Sequence, residues 1–225
     1  YVSIKHSYCK WSLKENENEK TTINNRWHGT IVPLIFCISS DESIYPFRGW
    51  DTDKWGTRVC SPRLNGTKYI LKGNHDYWWN TMSKMNKFLS ENGFDSIKII
   101  HNNAYAVEGF AIGGSRGWFY DDSSPADQKV ISREAGRLRA SLKEAEKLGG
   151  EMVAFLHYPP ISATQECEEI LSVLKEFPVK RCYFGHLHGF IAPENAKINY
   201  EGIEFNLASA DYLTFCPKLI SPSEN

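Results

Sequence analysis

From Gly66 onward, short apolar runs alternate with amphipathic stretches, and most end on glycine, proline or a polar cluster. Residues 68–72 (KYILK) read as a short strand. Trp79, Met82, Met85, Phe88 and Leu89 recur at helical spacing, and Gly93 ends that helix. Strands follow at 97–100, 104–107 and 110–113, the last opening into the loop GGSRGW. Ser124-Pro125 pairs a capping hydroxyl with proline at the first helical position. The helix it starts runs to Leu148, with Ile131, Leu138, Leu142 and Ala145 inward and Gly149 as its stop. Residues 152–156 form a buried strand ending at His157, 168–177 a short helix, 182–184 a strand closing at Gly185, and 203–207 a late strand. Strands and helices alternate in mid-chain and the end looks antiparallel, so the expected fold class is an α/β sandwich.

The first 65 residues lack such a pattern. ENENEK (15–20) is a polar run of a solvated face or loop. IVPLIFCI (31–38) reads as a buried strand and SSDES as the turn after it. From there to Asn65 no period emerges.

Composition adds limits. The chain has 225 residues, 41% of them hydrophobic, which suits a single domain over 1–225 with 1–65 atypical. The formal net charge of −1 supplies no general basic field, so nucleic acid is not the expected partner. Cysteines stand at 9, 37, 60, 167, 182 and 216, and none forms a C-x-x-C pair. Scattered in this way they read as reduced thiols of a cytoplasmic protein. The longest apolar run, Ile31 to Ile38, is broken by Pro33 and too short to span a bilayer, and no signal peptide is visible, so no membrane partner is expected.

Chemistry concentrates where three predicted strands end. The clusters are Gly73-Asn74-His75-Asp76, His157-Tyr158-Pro159-Pro160 and Gly185-His186-Leu187-His188-Gly189. Residues at the C-terminal ends of strands in an α/β sheet share one crevice. In an extended segment, i and i+2 point the same way, so His186 and His188 are expected to face one site together. Imidazole, amide oxygen and carboxylate suit zinc, iron or manganese better than a thiolate-loving ion.

GNHD, a histidine at a strand end and GHLH together resemble the calcineurin-like metallophosphoesterases. LKGNHDYWW, GGSRGW, LHYPP, FGHLHG and ASADYL resemble a bacterial branch of phosphohydrolases within that superfamily, over about residues 65 to 216. The resemblance implies a four-layer α/β/β/α sandwich with two divalent metal ions held between its sheets. It implies that Asn74, His157 and His186 bind one metal and His188 the other. His75 would donate a proton near the phosphate, oriented by Asp76. Arg116 in GGSRGW is a candidate for meeting the phosphate, since a guanidinium fork suits it, or else a loop-stabilising arginine. Asp211 in ASADYL reads as a residue that caps or orients a loop.

The family also carries Asp-x-His on its first strand and Gly-Asp after its second. Neither stands here in recognisable form. Asp41 is the best candidate for the metal-bridging aspartate, although Ser40 replaces the glycine before it. The alternative is an ordinary turn aspartate. Ile4-Lys5-His6 is the nearest trace of the first motif. Two explanations cover this N-terminal anomaly: a truncated or frame-shifted form of residues 1–65, and a true divergence. The expected function is accordingly a metal-dependent phosphoesterase acting on a phosphorylated small molecule or ester. The alternatives are a degenerate, non-catalytic binding module and, more weakly, a nuclease.

Overall fold

The computed structural model describes residues 36–37, 66–74, 76, 81–118, 125–213 and 218–221. Among these the chain is a mixed α/β protein with two sheets. The first has the order β1-β2-β3, from β1 (Phe36–Cys37), β2 (Lys68–Leu71) and β3 (Ile97–Ile99), all parallel. The second is built from β4 (Ala104–Val107), β5 (Phe110–Ser115), β6 (Glu151–Leu156), β7 (Val179–Phe184), β8 (Lys197–Tyr200) and β9 (Ile203–Leu207). Its order is β4-β5-β6-β7-β9-β8. Strands β5, β6, β7 and β9 run parallel, and the outer pairs β4/β5 and β8/β9 are antiparallel.

Helix α1 (Met82–Glu91) connects β2 to β3, α2 (Pro125–Leu148) connects β5 to β6, and α3 (Glu168–Lys175) connects β6 to β7. A one-turn helix α4 (Pro193–Ala196) precedes β8. These are the crossovers that parallel strands require.

The two-residue period of the strands assigns each side chain to an apolar cluster. In β2, Ile70 packs with Met85 and Leu89 of α1 and with Ile97 and Ile99 of β3. Its neighbours Tyr69 and Leu71 face the other way, into a cluster with Val107, Phe110, Ile112, Val153, Phe155 and Tyr183 from the six-stranded sheet. On the opposite face of that sheet, Ala111, Met152, Ala154, Leu156, Cys182 and Phe184 pack against α2 and α3. Ile131, Leu138, Leu142 and Ala145 of α2 are fully buried there, as their spacing predicts.

Polar groups enter this core with partners. Lys68, buried in β2, donates from Nζ to Gly66 O at 2.9 Å and to Ser96 Oγ at 2.8 Å. Asn103, between β3 and β4, accepts from His101 N at 2.6 Å and donates to Ile99 O at 3.1 Å. Its carbonyl accepts from Ser141 Oγ of α2 at 2.6 Å, and that hydroxyl accepts from Gly114 N of β5 at 2.8 Å.

Several element bounds differ from the sequence expectation. Strand β7 starts at Val179 rather than Cys182, because charged Arg181 is accommodated at its start. Arg181 Nε bonds Glu151 Oε1 at 2.6 Å, and its guanidinium lies over the Phe110 ring. Strand β5 continues through Gly114 to Ser115, and α3 stops at Lys175. Helix α4 and strand β8 were not expected, since KINY offers only two apolar side chains and lies on a sheet edge. Of the run 31–38, the described part, Phe36–Cys37, is a strand. Trp79 and Ser124 lie outside the described residues. Among the described residues, no helix is long and apolar enough to cross a membrane.

Candidate functional site

The site candidates sit where β2, β6 and β7 end, at the C-terminal edges of parallel strands. After β6, His157 is fully buried and its backbone is held from both sides. His157 N and Tyr158 N donate to Arg116 O, beyond β5, at 3.1 and 3.0 Å. His157 O accepts from Gly185 N, beyond β7, at 3.1 Å. The strand-end loops are thus stitched to one another, which fixes the imidazole.

Three donor atoms of the expected metal set meet there. His157 Nε2 lies 2.7 Å from Asn74 Oδ1 and 3.2 Å from His186 Nδ1. The His157 and His186 rings are edge-to-face with centroids 5.0 Å apart. Tyr158 stacks obliquely on His186 at 4.4 Å and touches Trp118 at 5.2 Å, so two aromatic rings wall this side.

The route by which His186 reaches this point differs from the expectation. Gly185 to His188 is not an extended segment: His186 has φ 69° and Leu187 N donates to Gly185 O at 2.8 Å. That is a three-residue turn with a left-handed centre, a rare and strained conformation for a non-glycine residue. Strand alternation therefore does not align His186 with His188. His188 is held separately: its Nδ1 lies 2.9 Å from Asp211 Oδ1, and Gly189 N donates to Asp211 Oδ2 at 2.8 Å. Burial opposes ionisation of Asp211, but the bonds from Gly189 and His188 outweigh it and hold the carboxyl below its usual range. Asp211 thus orients both the imidazole, through Nδ1, and its loop, through Gly189 N.

Asp76 is buried and its Oδ2 accepts from Gly73 N at 2.6 Å, closing the turn that carries Asn74. His75 and Asp41 lie outside the described residues. Arg116 directs its guanidinium toward Glu134 of α2, at 3.6 Å, and over the Trp118 ring, at 4.8 Å from the centroid. Glu134 is almost fully buried and also pairs with Arg137. Lys72, two residues before Asn74, is held below the usual lysine range by burial and then by Arg116. Glu134 shares the buried stripe of Ile131 and Leu138, a signal readable in the sequence. An acid on the apolar face of a helix needs a cationic partner.

Among the described residues, no three His, Cys, Asp or Glu side chains form a metal-sized group. The His157–His186 pair is joined instead by an amide, Asn74. Comparison with known protein families finds no match for this chain, and no curated protein matches it. One solved structure is similar at 13% identity and a TM-score of 0.40, covering 62% of this chain and 56% of its own. The chain thus spans little more than half of that structure. The resemblance to metallophosphoesterases rests on the motifs alone.

Proposed function

We propose that the protein is a metal-dependent phosphoesterase, built as a four-layer α/β/β/α sandwich. The observation that supports this best is the meeting of Asn74 Oδ1, His157 Nε2 and His186 Nδ1 within hydrogen-bond distance at one strand-end edge. The layer order is supported by three apolar clusters: α1 with the three-stranded sheet, sheet with sheet, and the six-stranded sheet with α2 and α3.

The donor set fits a first-row divalent ion. An amide oxygen and two imidazole nitrogens are borderline ligands, and a metal would stand in for the hydrogen that now links them. Asn74, His157 and His186 would hold one ion, His188 through Nε2 a second, and Asp41 would bridge them. When bound, such a pair supplies a hydroxide nucleophile and neutralises charge on the phosphoryl oxygens. The chain's own residues do the rest. By engaging Nδ1, Asp211 would orient His188 to offer Nε2 to a metal. Asp76 fixes the Asn74 turn through Gly73 N. His75 would donate a proton to the leaving oxygen, and Arg116 would meet an anionic group of the substrate.

The test is hydrolysis of phosphate monoesters and diesters by the full chain with added Mn²⁺, read beside metal content. The expected result is turnover that falls about 10² to 10⁴-fold in His75→Ala, the usual contribution of a general acid. Asn74→Ala is expected to retain less metal and to lose activity as well. Equal rates in the wild type and both variants would remove the phosphoesterase reading and leave the binding module.

A further inference from the structure

Two arginines flank one buried carboxylate beside the candidate site, with a lysine within electrostatic reach. Glu134 accepts from Arg137 one turn along α2 and faces Arg116 at 3.6 Å. Lys72 lies within electrostatic reach of both arginines, of Glu134 and of Asp76. His101, after β3, is held below its usual range by burial and then by Arg137 and Lys72. These groups come from four separate elements, the ends of β2, β3 and β5 and the body of α2, and meet at the same strand edge as Asn74 and His157. Among the described residues, Glu134 and Asp76 are the carboxylates that act on Lys72 beside these arginines. Asp76 is already engaged by Gly73 N.

Pairing Glu134 does not by itself call for both arginines. One arginine suffices to pair a buried glutamate, and each further cation costs repulsion in a partly dry setting. Arg116 and Arg137 still reach solvent, with side chains 25% and 45% exposed, while the carboxylate between them is 1% exposed. A guanidinium has five N–H donors, and Glu134 engages only part of each set. Such a group is built like an oxyanion receptor whose forks are aimed by a buried acid.

We infer that Lys72, Arg116 and Arg137 form a subsite for a second anionic group of the substrate, a carboxylate or a phosphate distinct from the group being hydrolysed. The placement fits. Lys72 is two residues from Asn74, and the Arg116 carbonyl is bonded directly to the His157 and Tyr158 amides. The substrate class is therefore a phosphate ester bearing another anion, and that wording rests on the phosphoesterase reading.

Anion binding without metal or turnover separates the two. The full chain, with no metal added, is titrated by calorimetry with inorganic phosphate in one arm and succinate in the other. At least one is expected to bind the wild type, and the arm that does tells phosphate from carboxylate. Arg137→Gln and Lys72→Gln are each expected to weaken it about tenfold or more, the effect of one charge-assisted hydrogen bond. Arg137→Lys, which keeps the charge beside Glu134 but loses the fork, is expected to bind more weakly than the wild type and more tightly than Arg137→Gln. No binding of either anion by the wild type, or binding unchanged in both glutamine variants, overturns the subsite. Intact anion binding in a chain that hydrolyses no ester supports the subsite and overturns the phosphoesterase reading instead.

Discussion

His186 shows how much of the site a sequence can carry and where it stops. That Asn74, His157 and His186 belong together was legible, because each follows a strand end and strand ends of a parallel sheet converge. That His186 gets there through a left-handed turn was not, because alternation in GHLH suggests an extended chain. The pairing of His188 with Asp211 spans 23 residues and follows from the fold alone. The turn makes a sharp prediction. An L-residue at φ 69° costs about 1 kcal/mol or more that glycine does not. His186→Gly is thus expected to unfold at higher urea concentration than His186→Ala, a shift of about 1 kcal/mol. The reverse order would mean the turn relaxes when the imidazole goes. Cys167 makes another. Burial pushes its thiol up to about 11, so the folded chain keeps the proton after the unfolded chain has lost it. Its contribution is complete below the ordinary thiol pKa and is lost as pH rises toward 11, on the order of 2 kcal/mol. Urea titrations from pH 8 to 11 are expected to show a shallower decline in Cys167→Ala than in the wild type.

Elements were legible where the apolar period was strong. Helix α2 follows its sequence reading to the residue at its C-terminal end, because four apolar positions recur over its length. Edge elements were not: β8 is half exposed, so it has no apolar run to announce it. The start of β7 was hidden by Lys180 and Arg181, charged residues that the strand tolerates because Arg181 finds Glu151. At β5 the two adjacent glycines are not equivalent. A Cβ on Gly114 would meet Phe155 O of β6 at 1.9 Å, whereas one on Gly113 would meet the Ser141 hydroxyl at 2.8 Å. A backbone oxygen inside a sheet has nowhere to go, but a hydroxyl can rotate. Gly114→Ala is expected to cost about 3 kcal/mol or to prevent folding, and Gly113→Ala distinctly less. Thermal melts of the pair check this, and equal losses would show that β5 and β6 separate easily.

At the scale of the molecule, residues 218–221 fasten the far end of the chain to the six-stranded sheet. Lys218 Nζ bonds Asn206 Oδ1 at 3.1 Å, Arg181 Nη2 bonds Ser221 O at 2.9 Å, and Ile220 enters the cluster between the sheets. Ile220→Ala is expected to destabilise the protein by about 2 kcal/mol, as for a large side chain removed from a core, measurable by urea denaturation. None of this was readable beforehand, since KLIS is too short and too mixed to predict an element.

The bond between Asn74 and His157 joins an extension of the three-stranded sheet to an extension of the six-stranded one. Whatever ligand grips both residues also glues one sheet to the other, so occupancy of the centre and cohesion of the molecule become a single quantity. An ion bound there at a hundred times its dissociation constant adds about 2.7 kcal/mol to the folded state. The melting temperature is therefore expected to climb with the logarithm of Mn²⁺, Zn²⁺ or Co²⁺ concentration in the wild type and to stay flat in Asn74→Ala. A flat wild-type curve for all three ions would mean that no such glue acts across the seam.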